Sequence, residues 1–331
     1  MTIDRRSVIV AGLATSLAGR TEAQTPPPVS AKGEAPGLPQ PTETLDLWPG
    51  IAPGAPGALL VETVNERSTD PLINDRAVYG ISRPRLAVFR PDRPNGASVL
   101  LMPGGGYKWV VIDKEGYEMA RWLTARGFTA FVLFYRLPGE GWAAAPNVAL
   151  ADAQRAMRLI RHRASDYRID PERVAAMGFS AGGHVCASLS TRFADKVYTP
   201  VDKADALSAK PHSAAPIYPV VSMDASVAHM GSRERLLGPA PGTADIHAQS
   251  PDQNVPPNAP PHFLLHAEDD DAVPVANTLR LHAALRAVRI PVEMHLFAQG
   301  GHGFGLRKAI GKPVEAWPDL WRAWARTVGL G

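Results

Sequence analysis

Arg173-Val-Ala-Ala-Met-Gly178-Phe-Ser180-Ala-Gly182-Gly-His184 decides the fold. An apolar run that reads as a buried strand enters Gly-x-Ser-x-Gly, and a helical pattern begins at about residue 181. A serine between strand and helix must sit in a sharp, strained turn, and only glycine fits where the turn presses on neighbouring backbone. The helix beyond it directs its first N–H groups toward any negative charge that develops there.

Outward from this turn the chain alternates. Strands are predicted at 85–90, 98–102, 128–135, 173–178, 213–221, 261–267 and 291–298. Helices are predicted at about 114–126, with Gly127 as the stop, at 149–164, from 181, at 275–288 and at 315–328. Phe128 to Tyr135 is apolar almost throughout, as a strand covered on both faces requires. Strand–helix alternation implies an α/β fold with a doubly wound, mainly parallel sheet in a single domain. The proline-rich stretch from Ala225 to Pro260 reads as an irregular excursion.

A serine hydroxyl needs a base, and the base needs an orienting carboxylate; in such folds they follow in the order Ser, acid, His. Gly300-Gly-His302-Gly-Phe-Gly305 follows the last predicted strand, and its glycines let His302 fold over the sheet edge. His262, His266 and His295 lie inside predicted strands and read as packed. The acid falls in Glu268-Asp-Asp270-Asp271, ahead of Val273-Pro274. Asp270 fits the turn best, with Asp271 and Asp269 as alternatives. Pro103-Gly104-Gly105-Gly106-Tyr107 follows the strand ending at Met102, where bare backbone amides can meet a tetrahedral oxyanion. A nucleotide loop is disfavoured, because neither Gly-x-Gly-x-x-Gly nor a Gly-Lys-Ser/Thr ending is present.

Composition supports this reading. The chain has 331 residues, of which 45% are hydrophobic and 20% charged, enough to bury a full core. A net charge of +3, without a basic cluster, gives no nucleic-acid footprint. One cysteine, Cys186, excludes an internal disulfide and any multi-thiolate metal site. The N-terminus carries Arg5-Arg6 and a short apolar run from Val8 to Ala18. At 11 residues the run is too short for a membrane span, which needs about 20. It reads as a signal peptide over 1–23, of the twin-arginine type, and implies a periplasmic or secreted protein with no stable membrane insertion. Residues 24–43 read as a proline-rich linker, and 44–331 as the catalytic domain.

The resemblance lies in Leu47-Trp-Pro-Gly-Ile-Ala-Pro-Gly54, Pro103-Gly-Gly-Gly-Tyr107, Tyr135-Arg-Leu-Pro138, Gly178-Phe-Ser-Ala-Gly-Gly-His184, Val273-Pro274 and Gly300-Gly-His-Gly-Phe304. Over about residues 44–329 the chain resembles the α/β-hydrolase superfamily, in its esterase branch of acetylxylan esterases and hormone-sensitive-lipase-like carboxylesterases. The resemblance implies a Ser180–Asp270–His302 triad and an oxyanion hole from the N–H of Ala181 with Gly105 and Gly106. The lipase-like relatives carry His before the three glycines; this chain has Pro103, as in the acetylxylan-esterase-like members. A serine esterase is expected, without cofactor or metal, acting on short acyl esters of a small molecule or a plant polysaccharide. Tyr107, Trp109 and Trp142 are candidates to stack on a sugar ring. His184 and Asp152 read as structural, and Cys186 as buried. The rivals are a different ester specificity, a serine peptidase and a non-catalytic binding protein on the same scaffold.

Overall fold

The computed structural model describes residues 38–58 and 60–331. The expected signal peptide, and the expected linker up to residue 37, lie outside the described residues. Eleven strands are present among those described: β1 (Glu43–Asp46), β2 (Thr63–Glu66), β3 (Arg76–Tyr79), β4 (Arg85–Phe89), β5 (Ser98–Met102), β6 (Val110–Val111), β7 (Thr129–Phe134), β8 (Val174–Phe179), β9 (Ala214–Ile217), β10 (His262–Ala267) and β11 (Val292–Phe297). The α-helices are α1 (Glu118–Thr124), α2 (Val148–His162), α3 (Ala164–Tyr167), α4 (Ala181–Thr191), α5 (Met230–Leu237), α6 (Thr243–Ala248), α7 (Ala276–Ala287) and α8 (Trp317–Thr327).

Eight strands form one sheet in the order β1-β4-β7-β5-β8-β9-β10-β11. The two pairings at its start, β1 with β4 and β4 with β7, are antiparallel, and the rest are parallel. β5, β7 and β8 are buried along their whole length, which explains their unbroken apolar runs. A separate antiparallel sheet joins β2, β3 and β6.

Register decides where the loops emerge. Met102 of β5 lies opposite Gly178 of β8, so the glycine-rich loop leaves the sheet beside the Ser180 turn. Ala267 of β10 lies opposite Phe297 of β11, so the acid run and the His302 loop also leave side by side. All four segments gather at the carboxyl ends of the parallel strands, where ligands bind in open α/β sheets.

The turn from β8 into α4 admits no side chain on its inner face. A methyl group placed on Gly178 would lie 2.1 Å from the Gly182 carbonyl oxygen, and one on Gly182 would lie 2.0 Å from that of Met102. The α4 backbone therefore rests directly on β5 and β8.

Several expectations shift. Thr42 already bonds through its N–H to the Val88 carbonyl at 2.7 Å, and β1 starts at Glu43. Pairing with β4 thus includes the two residues before the expected boundary at 44. The strand expected over 213–221 covers only Ala214–Ile217. Tyr218 adopts φ +37° and Pro219 has no N–H, so the ladder ends there. The helix expected from 114 begins instead as a π-helical turn over Asp113–Tyr117 before α1. The segment 225–260, expected to be irregular, contains α5 and α6. Among the described residues no helix is long and apolar enough to cross a membrane.

Asp152 and Cys186 are buried as expected. The Asp152 carboxylate receives the Arg136 guanidinium at 2.8 Å and the Trp48 indole N–H at 2.8 Å. Burial pushes the Cys186 thiol up to about 12. His262 is buried at 0% exposure, its Nδ1–H donating to the Pro260 carbonyl and its Nε2 facing the Ser190 hydroxyl, both at 2.8 Å.

Two expected outcomes follow from this packing. Gly182→Ala should lower stability by at least ~3 kcal/mol, because the new methyl meets backbone that cannot rotate away; thermal melts check this, and a wild-type melting temperature would refute the close packing. Burial lowers both His262 and His184 from 6.5 to about 4. The unfolded chain then takes up protons that the folded chain refuses, so their contribution is intact above about pH 6.5 and is lost as pH falls toward 4. Denaturant midpoints measured across that window should fall with pH, and His262→Gln should flatten part of the slope.

Candidate active site

Ser180 occupies the turn at φ +54°, ψ −119°, a region costly for any residue but glycine. Three backbone bonds hold it. Its N–H donates to Ile217 at 3.1 Å, and its carbonyl accepts from His184 at 3.1 Å and Val220 at 3.0 Å. The hydroxyl therefore stands at the strand ends, on a residue that is only 7% exposed.

His302 Nε2 lies 2.9 Å from Ser180 Oγ, and its Nδ1 lies 2.7 Å from Asp270 Oδ2. An Nδ1–H that donates to Asp270 leaves Nε2 as the acceptor for the serine proton, the tautomer a general base requires. Of the acid run, Asp270 is the carboxylate hydrogen-bonded to His302, and Asp271 faces solvent. Asp270 Oδ1 accepts the N–H groups of Ala272 at 3.0 Å and Val273 at 2.8 Å. Burial alone would raise this carboxyl; the hydrogen bonds from His266 and His302, with the nearby His302 charge and the Val273 N–H, hold it well below the usual carboxylate range.

Two residues of this corner were not distinguished in the sequence. His266, read there as packed, is fully buried, but its Nε2–H is shared between Asp270 Oδ2 at 3.2 Å and the Val273 carbonyl at 3.0 Å. The Thr278 hydroxyl at 2.7 Å supplies the donor for its Nδ1. Asp269 serves the histidine loop: its Oδ1 accepts from Gly300 at 2.9 Å and Gly301 at 2.7 Å. The i, i+4 spacing of His266 and Asp270 was visible, but only the turn after β10 brings them together.

The glycine-rich loop abuts the serine, since a methyl on Gly104 would lie 2.9 Å from Ser180 Cβ. The Gly104 N–H is taken by Glu115 at 2.8 Å. Those of Gly105 and Gly106 donate to nothing else among the described residues, and Ala181 opens α4, where a first-turn N–H has no partner within the helix. These available donors lie one and two residues beyond Gly104 in the loop and one residue beyond Ser180 in the turn. α5 closes the far side: a methyl on Gly106 would lie 3.6 Å from His229 Cε1.

The aromatic candidates separate. Tyr107 is 2% exposed, and its hydroxyl donates to His184 Nδ1 at 2.6 Å, while His184 Nε2–H donates to the Gln249 carbonyl at 2.8 Å. It braces the loop and has no open face for a sugar ring, and His184 is structural. Trp142 is buried too, with the Arg136 guanidinium over its ring. Stacking on substrate is therefore withdrawn for Tyr107 and Trp142. Trp109 alone of the three is partly exposed, one face covered by the Lys108 ammonium at 4.3 Å.

Comparison with known proteins agrees with the fold. The BD-FAE family model matches residues 87–285. The chain is 35% identical over 230 residues to an endo-1,4-beta-xylanase B of Butyrivibrio fibrisolvens, covering 70% of this chain and 36% of that protein. It is 32% identical over 227 residues to an acetylxylan esterase of Xylanibacter ruminicola, covering 67% and 44% respectively. The chain thus spans less than half the length of these two relatives. Among solved structures, an acetyl ester-xyloside bifunctional hydrolase from Caldicellulosiruptor lactoaceticus superposes with a TM-score of 0.72 at 31% identity, covering 89% of this chain and 99% of that one. With its mainly parallel eight-stranded sheet, the chain belongs to the BD-FAE family, in the esterase branch of the α/β hydrolases.

Proposed function

We propose that the protein is a serine carboxylesterase that removes short acyl groups, acetyl foremost, from plant-polysaccharide sugars such as those of acetylated xylan. The observation that carries the chemistry is the relay Ser180 Oγ–His302 Nε2 at 2.9 Å and His302 Nδ1–Asp270 Oδ2 at 2.7 Å. Ser180 attacks the ester carbonyl as His302 takes its proton, and Asp270 stabilises the imidazolium that forms. The oxyanion is received by the N–H groups of Gly105, Gly106 and Ala181, each such donor being worth roughly 2.7–4 kcal/mol. His302 then protonates the leaving alcohol. Water, deprotonated by the same histidine, releases the acid and restores Ser180.

The substrate class is supported by the relatives, whose names refer to xylanase, acetylxylan esterase and acetyl ester-xyloside hydrolase activities. It is also supported by the partly exposed Trp109 beside the glycine-rich loop. Export through the Arg5-Arg6 signal would place the enzyme where such polymers are found.

Ser180→Ala should lower kcat on p-nitrophenyl acetate by at least ~10³-fold with the fold intact; a mutant that retains a tenth of wild-type kcat would exclude Ser180 as nucleophile. Asp270→Asn should cost at least ~10²-fold, since the amide favours the wrong histidine tautomer. Asp269→Asn keeps an acceptor for Gly300 and Gly301 and should be mild, whereas Asp269→Ala frees the loop and should cost roughly 10-fold through misplacement of His302. On substrate class, kcat/KM should fall as the acyl chain lengthens from acetate, and acetate should be released from acetylated xylan. A preference for feruloyl esters without acetate release would overturn the assignment.

A further inference from the structure

Glu115 is a buried carboxyl that the relay does not use. It sits in the π-helical turn Asp113–Tyr117, all five residues of which are buried. π-Turns inside helices often mark functional sites, because the extra residue redirects side chains. Asp113 anchors this one through the Arg76 guanidinium at 2.5 Å and the Arg76 N–H at 2.7 Å. Burying a carboxyl is costly unless its oxygens are satisfied, and both oxygens of Glu115 are.

Oε2 accepts the Gly104 N–H at 2.8 Å. The carbonyl on the other side of the same peptide unit, that of Pro103, accepts the Tyr135 hydroxyl at 2.7 Å. The peptide that launches the glycine-rich loop is thus held at both polar ends, and the amides that follow it, Gly105 and Gly106, are left for substrate. Oε1 accepts the Tyr218 hydroxyl at 3.0 Å, and the Tyr218 oxygen in turn accepts the Gly305 N–H at 3.1 Å. Gly305 closes the His302 loop. The Tyr218 ring also meets His302 edge-on, with centroids 5.3 Å apart, and Phe304 at 4.6 Å. A methyl on Gly104 would lie 2.8 Å from Glu115 Oε2, and one on Gly303 would lie 3.7 Å from Oε1. One carboxyl is therefore wedged between the loop that would hold the oxyanion and the loop that carries the base.

We infer that Glu115, acting through Gly104 on one side and Tyr218–Gly305 on the other, is a positioning residue that fixes the oxyanion donors relative to His302. This rests on the acyl-transfer reading of Ser180 and His302. Glu115 touches no reacting atom. Its effect lies in the alignment of two loops from different strands, an alignment needed more in the tetrahedral transition state than in the ground state.

The test uses the full-length protein, with p-nitrophenyl acetate kinetics and near-ultraviolet circular dichroism on Glu115→Ala, Glu115→Gln and Tyr218→Phe. Glu115→Ala should lower kcat by about 10²-fold while KM changes less than about 3-fold, the pattern of misplaced catalytic groups rather than lost substrate binding. Glu115→Gln keeps an acceptor for the Gly104 N–H and should recover most of that loss. Tyr218→Phe, which severs the link to Gly305, should lower kcat about 10-fold. Wild-type kcat in folded Glu115→Ala would overturn the inference, as would Glu115→Gln being no better than Glu115→Ala. If Glu115→Ala does not fold, the other two decide: reduced kcat at unchanged KM in Tyr218→Phe supports the inference, and wild-type kcat in both overturns it. Ser180→Ala run alongside separates the two failures. Activity surviving there would refute the nucleophile, whereas an inactive Ser180→Ala with an unaffected Glu115 series would refute only the positioning role.

Discussion

The structure depends on the contact between α4 and the strands beneath it, where Gly182 rests on the Met102 carbonyl and Gly178 on that of Gly182. That contact holds Ser180 at φ +54° against its preference and brings the glycine-rich loop, which leaves the sheet one residue past Met102, to the same point. Strain of this kind persists only where the surroundings over-determine it. Here the determinants are β5, β8 and β9, each buried throughout and each supplying a loop or turn at the site.

The acid run shows how four consecutive carboxyls divide their work. Asp270 turns inward and collects donors from His302, His266, Ala272 and Val273. Asp269 turns the other way and fastens Gly300 and Gly301, the residues immediately before His302. His302 is therefore held by neighbours in sequence: Asp270 bonds its ring and Asp269 anchors the two glycines before it. Glu115 and Tyr218 add a third hold, Tyr218 from the end of β9 and Glu115 from the π-turn Asp113–Tyr117.

Much of this was legible in the residues. The sheet strands from β4 onward and the principal helices follow from apolar runs and helical spacing, and Gly-x-Ser-x-Gly announces its turn because only glycine tolerates those contacts. Asp270 could be favoured over its neighbours by its distance from Val273-Pro274, but only the turn shows which carboxylate points inward. What stayed hidden depends on tertiary contact. Nothing in Asp-Lys-Glu115-Gly-Tyr signals a π-turn or a partner 103 residues away at Tyr218. Tyr107 follows the glycines like a substrate contact, yet its hydroxyl is spent on His184, a pairing that local pattern cannot reveal. α5 and α6 were hidden by the prolines around them, which bound the helices without entering them.

The central claim is that Ser180 is the nucleophile, activated in the turn by His302. Mass-spectrometric mapping of the adduct left by a fluorophosphonate probe tests it most directly, since the probe reports the activated oxygen without any assumption about the natural ester. The account predicts one adduct per chain, on Ser180, forming far more slowly when His302 is replaced by alanine. An adduct on any other residue, or active enzyme that takes up no label, would contradict it.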